Sequence, residues 1–320
     1  MLKQHSDFDG IQQRVFSRLC SPERKHKYAY TTIGHVPHGL LPQRLQFLCE
    51  YYVLMREIDD VIDDDAPLPH EWQSRKEYLQ RKIAFVNDGA NPQDDVERVM
   101  LRCIERVSLA FGDDAGESLW HASENVLEGL RFDRERREQF AETNTPHIFP
   151  ENRLGKYLTD MELRGIMRGF LTVLGDDHRA IETLAPLVRA TRRHFYFVRD
   201  LPQDVSKGCI NLTEEECQYG YDSSELDSLV RESAVVANGE NFNLKPWQRS
   251  HLLHGRVPSF ASEWMEKQLC SSEQELQVHE REQRSSHFQP FTRLLLHLLY
   301  KKPASTYFGR FRSMLGNQHT

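Results

Sequence analysis

The stretch Leu45-Gln46-Phe47-Leu48-Cys49-Glu50-Tyr51-Tyr52-Val53-Leu54-Met55-Arg56-Glu57-Ile58-Asp59-Asp60-Val61-Ile62-Asp63 decides the fold. Leu45, Phe47, Leu48, Tyr51, Tyr52, Met55, Ile58, Val61 and Ile62 recur at helical spacing and predict a long helix from Pro42 to Ile62. The helix runs into acid: Arg56-Glu57-Ile58-Asp59-Asp60-Val61-Ile62-Asp63-Asp64-Asp65. Asp59 and Asp63 are four apart, so their carboxylates stack on one face. Like charges repel at that spacing, and unpaired carboxylates beside a buried face are costly. Stability alone would not collect them there. The bland alternative is a solvated acidic helix end.

A second run, Arg199-Asp200-Leu201-Pro202-Gln203-Asp204, repeats the Asp-x-x-x-Asp spacing. Pro202 is expected to kink the helix before it or end it near Leu201, and Gly208 to supply a cap or tight turn. The bland alternative here is a capping and salt-bridge cluster, with Arg199 paired to an acid. Two such carboxylate pairs facing each other across a cavity would hold hard cations through oxygen, and those cations would hold a diphosphate.

Outward from these runs the chain reads as helix throughout. Further helices are expected over Lys76–Val86, Val96–Phe111, Ala115–Leu130, Leu154–Leu174, Ala180–Asp200, Ser223–Ala237, Pro246–His254, Ser259–Leu269 and Ser271–Arg284. No segment alternates with the period of a strand. The fold class is therefore all-α. One domain is expected over 1–320, with 1–25 as an N-terminal extension and 285–320 as a C-terminal helical tail.

With 39% hydrophobic residues, the 320-residue chain can bury a large core. A net charge of −7 argues against nucleic acid as a partner. The six cysteines form no C-x-x-C pair, which suggests free thiols in a reducing compartment and no zinc or disulfide framework. The first ten residues carry no secretory signal pattern, and no apolar run is long enough to span a bilayer. No Gly-x-Gly-x-x-Gly fingerprint is present, so no nucleotide cofactor is evident, which leaves room for an atypical NADPH site.

At the two acidic runs the chain resembles the squalene/phytoene synthase family of isoprenoid-forming enzymes. Tyr52, Arg56, Asp59, Asp60 and Asp63 match that family's Tyr-x-x-x-Arg-x-x-Asp-Asp-x-x-Asp signature. Arg199, Asp200, Asp204, Gly208, Ile210 and Leu212 fall in register with its second signature, and Tyr157 stands about where a family tyrosine lies between them. The resemblance covers roughly His26 to Gly220. Beyond that only a generic helical tail is legible.

The resemblance implies an isoprenoid-synthase-type helical bundle around a deep apolar cavity. It implies Mg2+, with Mn2+ as a substitute, held by Asp59, Asp60, Asp63, Asp200 and Asp204. Catalytic roles fall to Asp59, Asp63, Asp200, Asp204, Tyr52 and Tyr157. Arg56, Arg199, His26, Lys27, Arg193, Tyr196 and Lys207 are candidates to bind a C10 to C20 prenyl diphosphate. Aromatic faces, among them Tyr51, Tyr52, Phe195, Tyr196 and Phe197, are candidates to stabilise a carbocation or simply to pack.

The chain also departs from the family. Tyr196 replaces a metal-proximal asparagine and Arg193 a glutamine. Cys209, Asn211 and Thr213 replace the arginine, tyrosine and proline of the Gly-Arg-x-Tyr-Leu-Pro turn, and Glu57 follows Arg56. These changes keep ionisation of the diphosphate and leave the cation's target open. Three readings follow. One is a transferase that makes a carbon–carbon bond, head to head or onto a small-molecule acceptor such as an aromatic ring. Another is a class I terpene synthase that cyclises one prenyl diphosphate. The last is a non-catalytic assembly factor of the same family. The expected location is cytoplasmic, or peripheral at a membrane through the apolar, basic-ended tail from Phe291 to Lys302. A last core helix with a solvated basic end is the plainer reading of that tail.

Overall fold

The computed structural model describes residues 2–19, 41–194, 199–217, 223–238, 244, 246–257, 259–283 and 288–316. Among these residues regular structure is helical, and a single parallel bridge joins Phe149 to Thr213. The all-α expectation is met. The chain divides into two compact units, one of Met1–Arg134 with Leu158–Glu182 and one of Glu135–Tyr157 with Thr183–Thr320.

The first unit opens with α1 (Leu2–Leu19), which packs on α2 (Gln43–Ile62) and α4 (Asp95–Phe111). Between α2 and α4 lies α3 (Arg75–Asp88). The N-terminal segment read as an extension is thus partly a core helix. Phe8, Ile11 and Val15 recur on one face of α1 and are buried. In α2, Phe47, Val53, Leu54 and Ile58 have no exposed surface. Ser74 and Asp94 start α3 and α4 by accepting the amides of Glu77 and Glu97.

Helix α5 (Asp113–Thr143) is far longer than the expected Ala115–Leu130, and its residues up to Arg134 belong to the first unit. The expected helix Leu154–Leu174 is α6 (Glu151–Thr159), a π-helical run over Asp160–Met167, and α7 (Arg168–Val173). Glycine allows the close packing here. A Cβ on Gly165 would meet the backbone of Ala122 and Val126, and one on Gly169 would enter the Tyr51 ring.

A 3-10 turn over His178–Leu184 runs from the first unit into the second, where α8 (Ala185–His194) follows and α9 (Leu201–Ser206) is a short helix. The short α10 (Glu214–Cys217) precedes α11 (Ser223–Ala237) and α12 (Pro246–His254), and those last two match expectation. The two helices expected either side of Cys270 are one, α13 (Ser259–Gln283). It packs along α8, tied by Ser272 Oγ donating to the Ala190 carbonyl at 2.9 Å and by Arg189 bonding Glu275 at 2.7 and 2.9 Å. The tail is α14 (Pro290–Leu296), a π-helical run over His297–Lys301 and α15 (Lys302–Gly316). Thr292, Leu295, Leu296, Ala304, Tyr307, Phe308 and Phe311 are buried, so the tail is core on one side. Phe291, Leu294 and Leu298 remain exposed at 36%, 52% and 40%.

Candidate functional site

The first acidic cluster sits at the C-terminal end of α2. Asp63 is its C-cap, with the amide donating to the Asp59 carbonyl at 2.8 Å. A helix C-terminus carries partial negative charge, so five aspartates there oppose the dipole. Arginines offset them. Arg56 pairs with both Asp59 and Asp60 and lies 3.7 Å from Asp65. Arg18 of α1 pairs with Glu57 and, at 2.8 Å, with Asp60, while Arg14 pairs with Glu57 at 2.9 Å. Arg75 donates to the Val61 carbonyl at 2.7 Å, Arg134 donates to the Ile62 carbonyl at 3.3 Å, and both bond Asp64. The last carbonyls of the helix thus receive cationic donors in place of a helical partner.

The aspartates of this cluster differ in kind. Asp60 has no exposed surface and belongs to the ion-pair network of Arg18 and Arg56. Asp59 keeps 24% of its side chain exposed, and Asp63 is half-buried. Asp59 and Asp63 are therefore the more exposed pair of the stacked carboxylates, and Asp60 holds Arg56 in place. Burial works to lower the Arg56 pKa, and the carboxylates of Asp59, Asp60 and Asp63 outweigh it, so the net shift is upward. Arg18 behaves alike, with burial outweighed by Glu57 and Asp60. Tyr52 is half-buried one position from the fully packed Tyr51.

The second cluster sits at the opposite end of a helix. Asp200 is the N-cap of α9 and Pro202 lies in the first turn, where a missing amide hydrogen costs nothing. Of the expected helix Ala180–Asp200, α8 is described to His194, 195–198 fall outside the described residues, Arg199 is π-helical, and after Asp200 the next helix begins at Leu201. Asp204 is one turn on, half-buried. Arg199 grips both oxygens of Asp200 through Nε and Nη2. Gly208 closes α9 with φ +83°, as the turn expectation required, and a Cβ there would collide with Phe140.

The divergent turn after Gly208 is tied down by a buried arginine. Buried Arg136 donates to the Ile210 carbonyl and to Asn211 Oδ1, the latter at 3.1 Å, and its guanidinium lies 5.8 Å from the Phe149 ring centre. Cys209 is buried. Arg193 bonds Gln268, which bonds Glu216 at 3.2 Å, so it is committed to the α8–α13 packing; burial lowers its pKa. Lys207 is the exposed C-cap of α9, and Tyr157 is half-buried on α6. His26, Lys27 and Tyr196 lie outside the described residues.

Residues from beyond Gly220, read as a generic tail, reach the second cluster. Ser250 Oγ donates to the Arg199 carbonyl at 3.4 Å, and the buried Tyr307 hydroxyl donates to Ser250 Oγ at 2.7 Å. Burial raises the Tyr307 pKa, so it stays a neutral donor. Arg249, on α12 beside Ser250, is buried within electrostatic reach of Asp200. Its signal in the sequence was a charge four residues before the buried Leu253, on the apolar face of the helix.

Among the described residues no three His, Cys, Asp or Glu side chains converge closely enough to form a metal cage. Magnesium does not ask for one. It binds through one or two carboxylates, water and substrate phosphate oxygens. A partly exposed Asp59–Asp63 pair, and Asp200 with Asp204, each supply a donor set of that kind. Compared with protein-family models, curated proteins and solved structures, the chain matches none of them.

Proposed function

We propose that the chain is a magnesium-dependent isoprenyl-diphosphate transferase, built as an isoprenoid-synthase-type bundle, that forms a carbon–carbon bond. The acceptor is a second prenyl diphosphate joined head to head, or another small molecule such as an aromatic ring. The observation that carries the reading is the cost of the first cluster. A helix C-terminus repels carboxylates, yet this one gathers them, with arginines among them and with Asp59 and Asp63 partly exposed at its edge. The match of Tyr52, Arg56, Asp59, Asp63, Arg199, Asp200 and Asp204 to two family signatures gives those carboxylates a task.

In this reading Asp59 with Asp63, and Asp200 with Asp204, would each hold Mg2+. Bound Mg2+ supplies positive charge that favours departure of the diphosphate. Arg56 and Arg199 orient phosphate oxygens through charge-assisted hydrogen bonds. The allylic C–O bond breaks and diphosphate leaves with the electron pair. The π electrons of the acceptor form the new carbon–carbon bond, and the proton then lost passes to diphosphate. Asp60, Arg18 and Glu57 hold Arg56 at its station. Tyr52 and Tyr157 remain candidates to face the cation.

The test is incubation with C10, C15 and C20 prenyl diphosphates plus Mg2+, with products identified by mass. A dimeric hydrocarbon, a cyclopropyl diphosphate or a prenylated acceptor is the expected result. A monomeric terpene moves the chain to the cyclases, and absence of any diphosphate release moves it to the assembly factors. Asp59→Asn and Asp200→Asn are each expected to slow release at least about a hundredfold. Undiminished release in either variant removes that residue from the metal site.

A further inference from the structure

The Arg249 guanidinium is buried beside the second acidic run. Its exposure is 8%, and among the described residues its Nη1 finds no hydrogen-bond partner. A buried cation is costly unless paired and hydrogen-bonded. The anion within its reach is Asp200, and both oxygens of Asp200 are already taken by Arg199. Burial lowers the Arg249 pKa, Asp200 opposes that shift, and Arg199 adds to it. Two arginines thus share one carboxylate, and one of them is short of an acceptor.

The position is held firmly. Tyr307 on α15 donates to Ser250, and Ser250 donates to the backbone of Arg199, so α12 is fixed against the second acidic run one residue from Arg249. Tyr307 in turn stacks on the fully buried Phe311, whose centroid lies 6.4 Å away with ring planes 8° apart. This is preorganisation of a positive group, and it is contributed by helices that lie beyond the stretch resembling any signature.

We propose that Arg249 is an anion-binding residue of the second cluster, holding oxygens of a diphosphate group alongside Arg199. The inference deepens the function proposed above and rests on it. A guanidinium presents a fork of donors that fits phosphate oxygens, and a bound diphosphate would bring the acceptors that the protein withholds from Nη1.

The experiment is calorimetric titration of the full chain with inorganic diphosphate in Mg2+, with thermal unfolding measured in parallel. Wild type is expected to bind. Arg249→Met and Arg249→Gln are expected to weaken binding by about tenfold or more, with Arg249→Lys between them. Arg249→Met is expected to unfold at the same temperature as wild type or higher, because it removes an under-paired buried charge. Wild-type affinity in Arg249→Met overturns the role of Arg249 and leaves the proposed function standing. Weakened binding together with a lowered unfolding temperature in all three variants makes Arg249 structural and overturns the role as well. Failure of wild type to bind diphosphate overturns both.

Discussion

The two acidic runs share a spacing and differ in almost everything else. The first closes a long helix and works against its dipole; the second opens a short one and works with it. The first is neutralised from several directions, by Arg18 from α1, Arg56 from α2, Arg75 from α3 and Arg134 from α5. The second binds Arg199 to Asp200 and lies beside Arg249, whose Nη1 has no hydrogen-bond partner among the described residues. An identical Asp-x-x-x-Asp pattern therefore yields one cluster bound among several arginines and one that opens a helix beside an incompletely bonded arginine.

The largest expected effect tests that contrast directly. Asp60→Asn removes the only side chain described between Arg18 and Arg56 that is wholly buried and bonded to both. Breaking a buried ion pair from one side typically costs about 3–5 kcal/mol, and a loss near 3 kcal/mol is expected by urea unfolding. Asp200→Asn, whose pair with Arg199 is about a quarter exposed on each side, is expected to cost no more than about 1 kcal/mol. Equal losses in the two variants would erase the distinction between the clusters.

The next effect is a pH dependence that resides in the second unit. His279 on α13 is buried, with its Nδ1 unpartnered, and burial, aided by Lys301 and opposed by Glu280, lowers its pKa to about 4. Lys301 and Glu280 are themselves paired at 2.8 Å. The unfolded imidazole takes its proton near pH 6.5, and the folded one resists until about 4. The unfolded state thus binds more protons between those values, and stability is complete above pH 6.5 and falls as pH drops toward 4. The full excursion is about 3 kcal/mol. His279→Leu should flatten the slope of unfolding free energy against pH in that window; an unchanged slope would assign the dependence to other groups.

How much of this was legible in the sequence varies by residue. α2 was readable because its apolar face is continuous and its acids interrupt it. Gly208 and the break before α9 were readable from proline and glycine chemistry. The burial of Asp60 in preference to Asp59 was not. Val53, Glu57 and Asp60 form a second buried stripe, but two of the three are charged, and their partners Arg14 and Arg18 lie beyond a long intervening segment. The π-helical run Asp160–Met167 was hidden too, since Gly129 and Gly165 mark close packing without naming the partner. The Cys270 boundary was misread because the polar stretch after it belongs to a single helix whose Ser272 is buried against α8. Arg249 was missed because a resemblance that ends at Gly220 gave no reason to weigh a charge on α12.

The smallest effect exchanges the two helix ends. Both runs stop in the left-handed region, the first at Asp64 with φ +63° and the second at Gly208 with φ +83°. Asp64 tolerates that conformation because aspartate is among the side chains that do so at modest cost, and it is exposed with Arg75 and Arg134 around it. Asp64→Gly trades backbone strain for two surface ion pairs and is expected to change stability by no more than about 0.5 kcal/mol. Gly208→Asp has no such freedom, because its Cβ enters the space of Phe140 and the residue must keep a positive φ. A loss of about 2 kcal/mol is expected. Phe140→Ala should return part of that loss in the double variant while lowering stability by itself, since the ring is what the new Cβ meets. If the pair proves additive, the constraint at Gly208 is one of backbone alone, and the second cluster owes its position to the turn and not to the packing beneath it.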